Sequence, residues 1–260
     1  MDKPRVAVHK FASCDGCQLA FLNAGEALLA LARRVHFVHF AEAGIVDPEA
    51  EADIAFVEGS ITTGHDVARL QAIRQRSRYL VAMGACATAG GIQALRNGSM
   101  QGGDWLAAVY ARPAFLSALD TSTPLSAHVR VDLELAGCPV SPRQVLAAMA
   151  DLLLGVRPRS ETDPVCLECK RAGHACVLVV KGEACMGPVT HGGCGALCPG
   201  QGRACYGCFG PAEQVNGAAL LARFQALGLA AEEARRRFLF IAAGAPAFRQ
   251  AAGEDHDGTA

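Results

Sequence analysis

The sequence lacks the charge that most macromolecular surfaces depend on. Of its 260 residues only 19% are charged, and the formal net charge is −1. That excludes a nucleic-acid surface built on surplus Lys and Arg, and 51% hydrophobic content excludes disorder and a coiled coil. Long apolar runs are also missing. Mean hydropathy is positive, yet the best stretches, 19–35 and 145–154, are broken by charge or stop short of the roughly 20 residues a spanning helix needs. The amino end, Met1-Asp2-Lys3-Pro4-Arg5-Val6-Ala7-Val8, carries no export signal and no twin arginine. A cytoplasmic chain is expected, with no membrane span and no nucleic-acid partner. There is no Gly-x4-Gly-Lys-Ser/Thr loop, no Gly-x-Gly-x-x-Gly after the first strand and no internal repeat. Nucleotide binding is not expected.

What the sequence does have is cysteine, twelve in all. A chain of this length does not need disulfides for stability, and a reducing compartment disfavours them. Clustered, reduced thiols are metal ligands or redox groups, and metal is the leading reading.

Two regions differ in texture. Up to about residue 155 apolar segments alternate with helical ones: strands are expected at 5–11, 35–40, 54–57, 79–83 and 129–135, and helices at 18–33, 65–76 and 142–154. The last has Ser141 as N-cap and Pro142 in the first turn. This alternation predicts an α/β domain with a mostly parallel sheet. Eight of the twelve cysteines fall between Cys166 and Cys208, in a Gly-rich stretch with only Tyr206 and Phe209 as aromatics. One run there, 177–180, reads as a strand. Such a segment buries too little apolar surface to offset its chain entropy, so metal loading and folding would be one event. Helices are expected again at 212–227 and 230–238, and a polar tail without structure at 253–260.

The first four cysteines follow expected strand ends. Cys14 and Cys17 lie after the first strand, Cys86 after 79–83, and Cys138 after the strand ending at residue 135. Open α/β sheets bind ligands at that edge, so four thiols can converge there on a four-cysteine metal site. Nearby Gly16, Gly84, Gly90, Gly91 and Gly137 allow close backbone approach to sulfur. The remaining spacing is Cys166-x2-Cys169-x6-Cys176-x8-Cys185-x8-Cys194-x3-Cys198-x6-Cys205-x2-Cys208, enough thiols for two further sites. Paired Cys-x2-Cys knuckles also suit structural zinc, so a zinc-stabilised interaction module stands as an alternative. The compact cysteine run of bacterial ferredoxins is absent.

The motifs Phe11-Ala12-Ser13-Cys14-Asp15-Gly16-Cys17-Gln18, Val57-Glu58-Gly59-Ser60-Ile61, Gly84-Ala85-Cys86-Ala87-Thr88-Ala89-Gly90-Gly91-Ile92 and Gly137-Cys138-Pro139 carry a resemblance. It continues through Cys166-Leu167-Glu168-Cys169-Lys170, Gly182-Glu183-Ala184-Cys185-Met186-Gly187-Pro188, Cys194-Gly195-Ala196-Leu197-Cys198-Pro199 and Cys205-Tyr206-Gly207-Cys208. Over residues 5–211 the chain resembles the small subunit of cytoplasmic nickel–iron hydrogenases, in particular the delta subunit of the bidirectional, NADP-linked sulfhydrogenases.

The resemblance implies a flavodoxin-like domain over residues 1–157, a small irregular iron–sulfur domain over 158–211, and C-terminal helices and tail over 212–260. It implies three 4Fe–4S clusters: a proximal one on Cys14, Cys17, Cys86 and Cys138, a medial one on Cys194, Cys198, Cys205 and Cys208, and a distal one on Cys166, Cys169, Cys176 and Cys185. Periplasmic relatives put His at the first distal position and often Pro in the medial set; here Cys166 and Cys198 stand there. The chain would be the electron-transfer subunit of a hydrogenase oxidoreductase. Its implied partners are a large subunit carrying the nickel–iron centre, an iron–sulfur subunit and a flavin- and NAD(P)-binding subunit. The alternative within the family is the small subunit of an F420-reducing or heterodisulfide reductase-linked hydrogenase. Glu58 is expected to be a proton-handling or interface carboxylate; the competing readings are a solvated loop acid or a charge at the start of the 65–76 helix. His174 and His191 are expected at the surface.

Overall fold

A computed structural model describes residues 3–99, 104–158 and 163–254. The chain divides into two compact units, Met1–Arg159 and Ser160–Ala260.

The first unit is built on five parallel strands: β1 (Arg5–Lys10), β2 (His36–Phe40), β3 (Ala52–Glu58), β4 (Ser77–Met83) and β5 (Leu133–Leu135). Their order across the sheet is β2-β1-β3-β4-β5. Strand side chains alternate between faces. On one face Val6, Val8, Ile54, Phe56, Val81 and Met83 pack with Phe21 and Met149; on the other Ala55, Val57, Leu80 and Ala82 pack with Leu70 and Ile73. Both faces are covered, as apolar parallel strands require. Helices α1 (Gly16–Leu22), α2 (Glu26–Ala32), α3 (Gly64–Arg76), α4 (Ala85–Ala89), α5 (Arg96–Ser99), α6 (Asp104–Val109) and α7 (Pro142–Leu153) complete the unit.

Local chemistry explains where expectation and structure agree or part. Ser141 and Gln144 form the capping box that opens α7, with Pro142 in the first turn. The single helix expected over 18–33 is two, because the chain turns at Ala24 and Gly25, whose N–H groups donate to the Phe21 and Leu22 carbonyls. The last strand begins only at Leu133. Just before it the Asp132 carboxylate accepts the Leu80 N–H at 2.9 Å and pairs with Arg74 at 2.6 Å, so a side chain stands in for strand pairing.

In the second unit α8 (Val165–Arg171), α9 (Val177–Val180) and α10 (Leu197–Gly200) are short helices within the cysteine-rich segment. The run expected as a strand at 177–180 is α9: the Val179 and Val180 N–H groups both turn back to the Cys176 carbonyl, at 3.0 and 2.8 Å. Val179 and Val180 are largely exposed. Three helices follow, α11 (Gly217–Ala226), α12 (Ala231–Phe238) and α13 (Pro246–Ala251), the last not foreseen. Phe238 joins Phe224 and Phe248, with ring centroids 6.2 and 5.9 Å apart, and adds an apolar core to the Val165, Val177, Met186, Val189 and Phe209 side chains buried within the cysteine segment. That core reaches the cysteines at Gly207, where a Cβ would touch Phe248 and Met186. The tail from residue 255 falls outside the described residues. Among the described residues no helix is long and apolar enough to cross a membrane.

Candidate metal centres

Strands β1, β3, β4 and β5 are consecutive neighbours, so the loops after them open side by side at one sheet edge. Cys14 and Cys17 follow β1, Cys17 in the first turn of α1; Cys86 lies in α4 after β4, and Cys138 follows β5. Backbone pairing continues past the strand ends: Phe11 N–H donates to Glu58 O at 2.8 Å, Gly84 N–H to Leu135 O at 2.8 Å, and Ala85 N–H to Gly137 O at 2.7 Å. The loops are held in register with the sheet.

The space around these thiols is shaped by glycine. A side chain at Gly84 would collide with the Cys17 sulfur, and one at Gly91 would come within 2.5 Å of the Cys86 sulfur; both glycines also have positive φ. Gln93 joins two loops, its amide donating to Ala12 O at 2.8 Å and accepting from the Cys86 thiol at 3.4 Å.

These four thiols act on one another's ionisation. Burial pushes Cys86 up to about 11, and Cys138 and Cys14 add to the shift. Burial also raises Cys17, with Cys86 and Cys138 contributing, and raises Cys138, with Cys14 contributing. Thiols raised in this way are held as thiolates by a cationic centre among them.

Glu58 ends β3 between the cysteine-bearing strands and is only 2% exposed. Its two oxygens accept the Cys17 and Gln18 N–H groups, each at 3.1 Å. It is therefore neither a solvated loop acid nor a charge at the start of α3, which is capped by Thr63 and Asp66. The carboxylate sits on the first turn of α1. Burial raises its pKa, and the two N–H groups counter part of that.

In the second unit Cys166, Cys169, Cys176 and Cys185 form a second set. Burial pushes Cys166 up to about 11, with Cys185, Cys176 and Cys169 adding to it. Cys169 is raised by burial and then by Cys176 and Cys185. A Cβ on Gly187 would sit 3.4 Å from the Cys166 sulfur and 3.5 Å from that of Cys185. Cys176 is exposed.

The last four cysteines interlock with that set. Burial pushes Cys205 up to about 12, with Cys185 and Cys208 contributing, and its N–H donates to the Cys185 sulfur at 3.2 Å. Cys198 acts on Cys185. Burial raises Cys194, the Leu197 and Ala196 N–H groups counter that, and Glu168 adds to it. A Cβ on Gly200 would meet the His174 ring, and the His191 Nδ1 is 2.7 Å from the Gly192 carbonyl; both histidines are partly exposed. Among the described residues no three His, Cys, Asp or Glu side chains close tightly enough for one metal ion. Backbone amides reach sulfur in the second unit, from Cys205 to Cys185 and from Gly207 to Cys205, and thiols served by amides are the donors that iron–sulfur clusters use.

Sequence reasoning gave Glu168 and Gln93 no role. The only signal for Glu168 was an acid lodged inside a Cys-x2-Cys pair; Gln93 offered none.

Residues 14–152 match the family described as NADH ubiquinone oxidoreductase, 20 Kd subunit. The chain is 35% identical to the delta subunit of sulfhydrogenase 2 of Pyrococcus furiosus, over 82% of this chain and 88% of that protein. It is 29% identical to a subunit of the F420-non-reducing hydrogenase vhu of Methanococcus voltae, over 87% and 90%. A crystal structure of an NAD+-reducing [NiFe]-hydrogenase in the H2-reduced state contains a chain that superposes with a TM-score of 0.55 at 33% identity. The match covers 60% of this chain and 94% of that one. The strand-end thiols, the parallel sheet and these likenesses agree, and the chain belongs to this family as a nickel–iron hydrogenase small subunit.

Proposed function

We propose that this subunit carries electrons between a nickel–iron centre on a partner large subunit and an NAD(P)-reducing flavoprotein module, through three 4Fe–4S clusters. The observation that carries this reading is the grouping of twelve thiols, four of them on adjacent strand ends and eight in the second unit. Cys14, Cys17, Cys86 and Cys138 would hold the proximal cluster, Cys194, Cys198, Cys205 and Cys208 the medial one, and Cys166, Cys169, Cys176 and Cys185 the distal one. When bound, such clusters accept and release single electrons. The chain's own part is to exclude water from the buried thiols, to aim amides at sulfur and to leave Cys14 of one set and Cys176 of another exposed. Exposed Cys176, in a segment that also carries Lys170, Arg171 and Lys181, is where electrons would leave for a cytoplasmic partner, an iron–sulfur or flavin subunit. Glu58, buried beside Cys17, would be the proton-handling or interface carboxylate.

A second reading has a specific support. The F420-non-reducing relative matches across both units, whereas the NAD+-reducing structure covers only 60% of this chain. The same wire could therefore serve a heterodisulfide reductase-linked complex in place of the NAD(P)-linked module; a match to an F420-non-reducing relative gives the F420-reducing branch of this alternative no support. Anaerobic purification with metal analysis and EPR tests the core claim. About twelve irons per chain and reducible cluster signals are expected; about three zincs and no colour would refute it. A co-purifying NADPH-oxidising flavoprotein supports the first acceptor, and its replacement by a disulfide-reducing partner supports the second.

A further inference from the structure

Helix α8 carries Cys166 and Cys169, and Glu168 lies between them. Its carboxylate crosses to the loop that bears Cys194. One oxygen accepts the Gly193 N–H at 2.9 Å; the other accepts the Ala196 N–H at 3.2 Å and takes the Cys194 thiol at 3.8 Å. Ala196 adopts φ 53°, a left-handed conformation uncommon for a residue with a Cβ. Loops containing such residues turn backbone amides inward and form anion-binding concavities, often at iron–sulfur sites. Here the concavity is filled by a side chain. Gly192 closes it from the other side: a Cβ there would stand 3.4 Å from the Glu168 carboxyl carbon.

We propose that Glu168 is a positioning residue of the Cys194, Cys198, Cys205 and Cys208 set: it fastens the Cys194 loop to the helix bearing Cys166 and Cys169, and its charge makes the cluster on that set harder to reduce. The inference rests on the cluster reading given above. Two physical effects act in the same direction. The Gly193 N–H is committed to Glu168, and the Ala196 N–H is shared between Glu168 and the Cys194 sulfur; both have less to give to cluster sulfur, and hydrogen bonds to sulfur are among the factors that set cluster potentials. A negative charge close to the site also opposes the arrival of an electron. Because Glu168 is flanked by two ligands of the neighbouring set, the same contact couples the geometries of both.

The test compares the full chain with Glu168→Gln and Glu168→Asp, each purified anaerobically, by iron and sulfide content and by EPR-monitored redox titration. Glu168→Gln is expected to keep its iron and to make one cluster more easily reduced, by about tenfold in the reduction equilibrium, or about 59 mV for one electron. Glu168→Asp, which keeps the charge, should stay near the parent. Unchanged potentials with all iron in place in Glu168→Gln would overturn the inference. If Glu168→Gln instead loses about four irons, the Asp variant decides: retained iron supports a role for the charge, and equal loss reduces Glu168 to packing and overturns it. Zinc in place of iron in the parent chain would overturn the cluster reading and this inference together, whereas unchanged potentials would overturn this inference alone.

Discussion

The two units present thiols in opposite ways. In the first, each cysteine-bearing loop hangs from a strand of one continuous sheet, and an apolar core on both sheet faces fixes the strand ends. In the second, the cysteines lie on helices of four to seven residues and the loops between them. Their apolar support comes from a few buried side chains of their own, such as Val165, Met186 and Val189, and from Phe224, Phe238 and Phe248 on helices that follow in sequence. Isolated helices of that length are unstable. One unit offers a site that its own fold has already shaped; on the cluster reading proposed above, the other would need bound metal to finish its fold.

Iron removal is the strongest way to break that contrast. Anaerobic chelation should speed amide exchange over residues 163–211 by at least about a hundredfold, while β1, β3 and β4 change little. Hydrogen-exchange mass spectrometry reads both units in one experiment, and equal acceleration in both would erase the distinction.

Acid should act on the first unit through a buried pair. His9 stacks on His39 with centroids 4.6 Å apart, and burial, helped by His39 and Arg69, pushes His9 down to about 3. A depressed folded value means the stabilisation is complete above the ordinary histidine value, near 6.5, and is lost as pH falls from there through about 3. The loss should be on the order of 1 kcal/mol per pH unit below 6.5. His9→Phe should flatten this slope in exchange or denaturation of β1 and β3; an unchanged slope would assign the acid sensitivity elsewhere.

The smallest effect on stability is expected at Glu58. Glu58→Gln keeps one acceptor for the Cys17 and Gln18 N–H groups and should cost about 1 kcal/mol in the first unit. If Glu58 also handles protons, hydrogen turnover in the assembled complex should fall at least about tenfold. Unchanged turnover and proton exchange would leave it as a fastener of α1 alone.

Much of the first unit was legible because its signals are local. Ser141 and Pro142 announce α7, and Cys14, Cys86 and Cys138 each follow an apolar run that became a strand. The misreadings arose where a distant partner decides. Asp132 meets Leu80 and Arg74 across more than fifty residues and delays β5. Val177–Val180 has the composition of a strand, yet a β-branched run cannot pair without a neighbour, so it closes one turn on Cys176. Glu168 reaches residues 193–196, a contact that no spacing rule encodes.

Glu58 gives its strand an unusual duty. Because β3 lies between the strands that launch the Cys14–Cys17 and Cys86 loops, its terminal side chain works as a keystone, tying the carboxyl edge to the opening turn of α1. If these loops hold the proposed proximal cluster, the bracing would leave them little room to rearrange when charge comes and goes. Low reorganisation favours rapid hopping, so on that reading the bracing would serve speed as well as shape.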